Sequence, residues 1–117
     1  MKKSCDKLWS QVVRAGGHCE RCGATPEQSQ LHAHHAMGRN NHRLRFETRN
    51  GVCLCASCHR YFHDYPLLFG EWFKENRQED YFWLRREHAR GLVAPRKLDD
   101  YLELETELSE MTKQGDT

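Results

Sequence analysis

The chain reads as α+β, a small core of strand, loop, strand and helix that is stapled by metal, with one helix before it and further helices after it. Three observations lead there. Two Cys-x-x-Cys pairs, Cys19/Cys22 and Cys55/Cys58, bracket the middle of the sequence. Between them lie two short runs with apolar residues at alternate positions, Leu31/Ala33 and Val52/Leu54. Outside that span the apolar residues recur at helical spacing.

In 117 residues with 38% apolar side chains there is room for one domain with a modest core, and at this size a bound metal is a common staple. The formal net charge of +1 hides an asymmetry. Residues 1–63 carry ten Lys/Arg against four Asp/Glu, near +6, while residues 64–117 carry eight against thirteen, near −5. A basic half suits a polyanionic partner, although scattered charge is also ordinary solvated surface. Six cysteines would suit a disulfide framework in a secreted protein. Here the start Met-Lys-Lys-Ser-Cys-Asp-Lys leads into no apolar run, and no stretch approaches membrane-spanning length. The expectation is therefore a reducing, cytoplasmic protein with bound metal and no membrane partner. Cys5 and Cys53, outside the two pairs, read as small buried thiols.

In order, residues 1–17 form an N-terminal helix capped by Ser4 or Asp6, with Leu8, Val12 and Ala15 on one face, Trp9 and Val13 beside them, and Gly16-Gly17 as its stop. Residues 18–65 are the metal-stapled core. His18-Cys19-Glu-Arg-Cys22-Gly23 is a metal knuckle whose glycine lets the backbone turn tightly. Leu31 to His35 fits a first short strand, and the Arg- and Asn-rich loop after it ends in Leu44-Arg-Phe46, which tucks two apolar groups inward. Asn50-Gly51 is a turn signal, Val52 and Leu54 mark the second strand, and Ser57 caps a helix that runs to about Asp64. Residues 66–113 form a helical extension. Pro66 opens a helix with Leu68/Trp72 and Phe69/Phe73 as i,i+4 pairs, and Tyr81 to Arg90 continues helically until Gly91. After Pro95 a last acidic, amphipathic helix carries Leu98, Tyr101, Leu104, Leu108 and Met111, a stripe that serves an internal core or a second copy of the chain equally well. Residues 114–117 read as a disordered tail. The run Tyr81-Phe82-Trp83 reads as core, and His18, His32, His42 and His88 as surface or packing residues.

The four cysteines supply the ligand set of a closed tetrahedral zinc site. His59 and His63, one turn apart on a helix, point the same way and can share one metal, with His34 at a strand end as a third imidazole. Three neutral ligands leave positions for water and phosphate oxygens, which is the open arrangement of catalytic sites. His35 leaves its strand on the opposite side from His34, so it is placed to take the proton from an attacking water.

The set His34-His35, Asn50, His59, His63 resembles, in order and spacing, the motif of the HNH endonucleases, also called ββα-metal or His-Me finger nucleases. The flanking Cys19/Cys22 and Cys55/Cys58 resemble the zinc-containing branch common in phage and prophage proteins, over about residues 18 to 63. The resemblance implies a ββα-metal core, His35 as general base, and His34 and His63 as ligands of the catalytic ion, with His59 also facing it. It implies that Asn50 holds the loop that orients His35. His34 stands where the family often has Asp, and an all-histidine site is softer and should favour transition metals more than a carboxylate-bearing one; Mg2+, Mn2+, Ni2+ and Zn2+ are the candidates beside the structural Zn2+. The implied reaction is hydrolysis of DNA to 5′-phosphate and 3′-hydroxyl ends in the bacterial cell, with a homodimer or a phage packaging or recombination partner as further implications. Arg39, Arg43, Arg45 and Arg49 are candidates for backbone phosphate contacts, which would be salt-sensitive. A noncatalytic zinc-stapled nucleic-acid-binding module is the alternative, and phosphate contacts alone do not separate DNA from RNA.

Overall fold

The structure, a computed structural model, describes residues 2–90 and 98–115. The elements run α1 (Lys2–Arg14), β1 (Leu31–His35), a 3-10 turn (Thr48–Asn50), β2 (Gly51–Cys55), α2 (Ala56–Asp64), α3 (Pro66–Asn76), α4 (Gln78–Ala89) and α5 (Leu98–Gly115). β1 and β2 pair antiparallel, from Leu31 opposite Cys55 to His35 opposite Gly51. With α2 following directly, this is a ββα core. The expected stop at Gly91, the break at Pro95 and residues 116–117 of the expected tail lie outside the described residues, while residues 114 and 115, expected to be disordered, continue α5.

The period of two along β1 sorts its side chains between two helices. His32 and His34 turn toward α2, where both rings meet that of His59. Ala33 and His35 turn the other way, toward α1 and Trp9. β2 is buried at all five positions, because α1 and α2 both pack on it and its outer edge is closed by the knuckle. Cys53 N donates to the Glu20 carboxylate at 2.6 Å, and Glu20 N donates to the Cys53 carbonyl at 2.8 Å.

Gly51 is not a turn residue as expected from Asn50-Gly51. Its φ of −110° is ordinary extended backbone, and what requires glycine there is space. A Cβ would collide with the Val13 side chain and come within 2.9 Å of the Trp9 ring. The bare backbone lets α1 close on the sheet.

α1 begins earlier than Ser4 or Asp6, and neither caps it. Ser4 Oγ donates to the Glu105 carboxylate at 2.6 Å, and the Asp6 carboxylate accepts from Arg45, so partners on distant segments take both side chains. The helix ends at Arg14, and Gly17 at φ +76° takes the left-handed turn that follows. α2 is likewise capped by Cys55 rather than Ser57, its Sγ accepting from Cys58 N at 3.5 Å.

Two groups of buried side chains result. One joins Leu44, Val52 and Leu54 to Phe62, Phe69, Phe73 and Leu84; the other joins Cys5, Trp9, Phe46 and Leu108. Leu44 and Phe46 are tucked in, and Cys5 and Cys53 are buried, as expected. α5 packs on α1 through Tyr101, Leu104 and Leu108, leaving Leu98, Leu102 and Met111 exposed. α4 starts at Gln78 rather than Tyr81, so the break after α3 is a single residue, Arg77. Its guanidinium bonds Asp80 at 2.6 Å, Glu20 at 2.9 Å, the Gly51 carbonyl at 3.1 Å and the Arg49 carbonyl at 3.3 Å. Among the described residues no helix is long and apolar enough to cross a membrane.

Candidate active site and metal centre

The two knuckles converge. The ligand atoms of Cys19, Cys22, Cys55 and Cys58 all lie within 4.8 Å of one another, and Cys22 Sγ is 3.7 Å from Cys55 Sγ. Four sulfurs around a tetrahedral ion with bonds of about 2.3 Å stand about 3.8 Å apart, so the donor set fits such an ion. Gly23 at φ +80° turns the first knuckle, whose Gly23 N donates to the Cys19 carbonyl at 2.8 Å. Burial raises the Cys19 thiol, but backbone N–H groups of Cys22, Cys55 and Arg21 outweigh it and hold it at about 6. Burial pushes Cys58 up to about 12. The Arg21 guanidinium donates to Cys58 Sγ at 3.5 Å and lies 4.3 Å from the centre of the Tyr61 ring, a cation beside a site that becomes anionic when four thiolates bind a divalent ion. The four cysteines are thus positioned to hold a metal ion.

The histidines form a second cluster beside it. The His34 and His59 rings meet edge to face at 5.1 Å, and His63 lines the same cleft as His34 and His35. Their ligand nitrogens are not drawn together as the sulfurs are; among the described residues the cysteines are the one set of three or more donors so gathered. His59 Nδ1 lies 2.8 Å from His32 Nδ1, one donating and the other accepting, which leaves His59 Nε2 as its ligand atom. His32 was expected to be a surface or packing residue. The strand period carried the missing signal, since residues 32 and 34 of one strand share a face. Burial, followed by the neighbouring His59, His35 and His63, holds His34 at about 4. Burial, then His32 and His63, lowers His59 as well. Neutral imidazoles are the form that binds metal.

His35 sits on the other side of β1. Its Nε2 is 3.0 Å from the Arg45 carbonyl, and its ring stacks on Trp9 at 3.9 Å. Burial holds its pKa below the ordinary imidazole value, with the Arg39 and Arg45 charges acting in the same direction and the Arg45 carbonyl and Asp6 opposing. Asn50, fully buried, spans the loop that delivers that carbonyl. Its Oδ1 accepts from Met37 N at 2.6 Å, and its Nδ2 donates to the carbonyls of Met37 at 3.1 Å and Leu44 at 3.0 Å. Residues 18–70 match the HNH endonuclease family. The HNH match thus spans the first knuckle, the sheet, α2 and the start of α3, and Trp9 and α4 lie outside it. No curated protein and no solved structure matches the chain.

The arginines depart from expectation. Arg45 is buried, with Nε and Nη2 on the two oxygens of Asp6 at 3.0 and 2.7 Å. It ties α1 to the HNH segment and presents no free face to a phosphate. Arg43 pairs with Glu87, and Arg49 pairs with Asp80 at 2.7 Å while lying over Trp83. Arg39 alone of the four is exposed.

Proposed function

We propose that the protein is a metal-dependent HNH endonuclease that hydrolyses DNA phosphodiester bonds. The orientation of His35 carries this reading. With Nε2 donating to the Arg45 carbonyl, the lone pair lies on Nδ1, which is the nitrogen left to accept a proton. Burial keeps the ring unprotonated at neutral pH, the state a general base needs. Trp9 fixes the plane of the ring and Asn50 fixes the loop behind it.

His34, His59 and His63, whose nitrogens are not gathered as the sulfurs are, would have to draw together to hold the catalytic ion, which when bound would polarise the phosphate and stabilise charge on the leaving oxygen. Imidazole donors favour Ni2+ or Zn2+ over Mg2+. Cys19, Cys22, Cys55 and Cys58 would hold a structural Zn2+. Arg39, whose charge reaches His35, would meet a backbone phosphate at the site.

The test is nicking of supercoiled plasmid by wild type and His35→Ala with Mg2+, Mn2+ or Ni2+, and with a chelator. Wild type should nick only with metal. His35→Ala should be slower by about 10²- to 10⁴-fold with its cysteine-bound metal intact. Equal rates would remove His35 as the base. Nicking by neither, with plasmid binding retained, would favour the noncatalytic binding module.

A further inference from the structure

The histidine cleft has a second wall. A cavity of about 410 Å³ is bounded on one side by His34, His35 and His63 and on the other by Tyr81 and Arg85, over a floor of Phe69 and Phe73. The rings run in series across it. His34 meets Phe69 edge-on at 4.7 Å, Phe69 lies within 24° of parallel to Phe73 at 5.5 Å, and Phe73 is 6.5 Å from Tyr81. The Arg85 guanidinium carbon is 5.8 Å from the centre of the Tyr81 ring, and the side chain is exposed. No carboxylate is among the lining residues. The family match ends at residue 70, so the far wall belongs to this chain's own extension.

We propose that this cleft binds an unpaired DNA nucleotide next to the scissile phosphate, with the base against Tyr81 and the aromatic floor and a phosphate on Arg85. The cleft lies in the size range of small-ligand pockets, about 300–1,000 Å³. Its lining is what a nucleotide asks for, apolar π faces for the base and a cation for the anion. The rim carries that cation and no opposing acid. A base stacked within a duplex cannot enter such a recess, because its faces are covered by its neighbours. The substrate class is therefore DNA with unpaired nucleotides, such as single strands and gapped duplexes. Tyr81, expected to be core, is half-buried and lines the cleft, and Phe82 of the same run is exposed. The proposal rests on the nuclease reading for what happens at the histidine end, but the binding it describes does not.

Three end-labelled oligonucleotides of one sequence test it, namely a single strand, a blunt duplex and a duplex with a one-nucleotide gap. Cleavage is followed with Mn2+, and binding by fluorescence anisotropy without added catalytic metal. Wild type should bind and cut the single strand and the gapped duplex roughly tenfold better than the blunt duplex, the scale of one base–aromatic stack. Tyr81→Phe should keep that ratio and Tyr81→Ala should bring it close to one. Arg85→Gln, at an exposed position, should weaken single-strand binding and lower its salt slope by about one phosphate. Equal binding of the three DNAs by wild type overturns the proposal. So does a ratio unmoved in folded Tyr81→Ala or, where that variant does not fold, an unchanged salt slope in Arg85→Gln. Absence of cleavage with the binding preference and its loss on substitution intact would sink the nuclease reading and uphold the cleft.

Discussion

The indole of Trp9 lies flat on the imidazole of His35, with ring centres 3.9 Å apart and planes 11° from parallel. Trp9 is itself pinned, since its Nε1–H donates to the Glu47 carbonyl at 2.8 Å. His35 is thus held by a carbonyl at its edge and an aromatic plane at its face. Trp9→Leu should lower kcat by on the order of tenfold to a hundredfold with KM little changed, because the ring is freed to tilt by a fraction of an ångström while the DNA surface is untouched. Trp9→Phe should recover much of the loss. Steady-state nicking kinetics on folded variants decide it, and an unchanged kcat in Trp9→Leu would make the stack structural only.

Asn50 satisfies three backbone groups with one side chain. Asn50→Ala leaves the part-buried N–H and carbonyl of Met37 without their side-chain partner and the Leu44 carbonyl with only its bond from Glu47 N, and each lost partner costs about 1–3 kcal/mol. A loss of roughly 3 kcal/mol or more in stability is expected, with cleavage falling too because the Arg45 carbonyl drifts from His35. Denaturant unfolding measures the first effect, and a variant as stable as wild type would contradict it.

Arg45 and Arg39 should separate cleanly. Arg45→Gln strands the Asp6 carboxylate and should destabilise the fold by about 1–3 kcal/mol, leaving the salt dependence of DNA binding as it was. Arg39→Gln should do the reverse, preserving thermal stability and reducing the salt slope by about one unit. Swapped outcomes would mean that the Asp6 pair opens in the complex.

Cys55 is both a candidate ligand and the cap of α2. Cys55→Ser should therefore remove the bound metal and unfold the core, since structural zinc contributes on the order of 10 kcal/mol in small domains. Cys5→Ser, at a buried thiol far from the cluster, should retain the metal. Metal content by elemental analysis and helicity by circular dichroism read both. A folded, metal-loaded Cys55→Ser variant would refute the staple.

What was legible in the sequence was what depends on local spacing. The alternation of Leu31 to His35 placed His34 and His35 on opposite faces, and the knuckle spacing placed four sulfurs together. What was not legible depends on contacts across long separations. Nothing near Trp9 announces His35, because their stacking follows from the clearance at Gly51. The arginine loop looked like an anion-binding surface because Asp6, Glu87 and Asp80, which take up Arg45, Arg43 and Arg49, come from distant parts of the chain. Ser57 looked like a cap because thiol sulfur is a weaker acceptor than hydroxyl oxygen, and only the clustered geometry gives Cys55 the role.

Arg77 sits where α3 gives way to α4, and it reaches the knuckle through Glu20, β2 through the Gly51 carbonyl and the segment before it through the Arg49 carbonyl. In mechanical terms it is a rivet through a hinge. The two jaws of the cleft, one built on the sheet and the other on α4, are referenced to the same guanidinium, and the Arg49–Asp80 and Arg43–Glu87 pairs span the same gap beside it. A chain that loosened this joint would keep every side chain that lines the cleft and lose part of the gauge that spaces them.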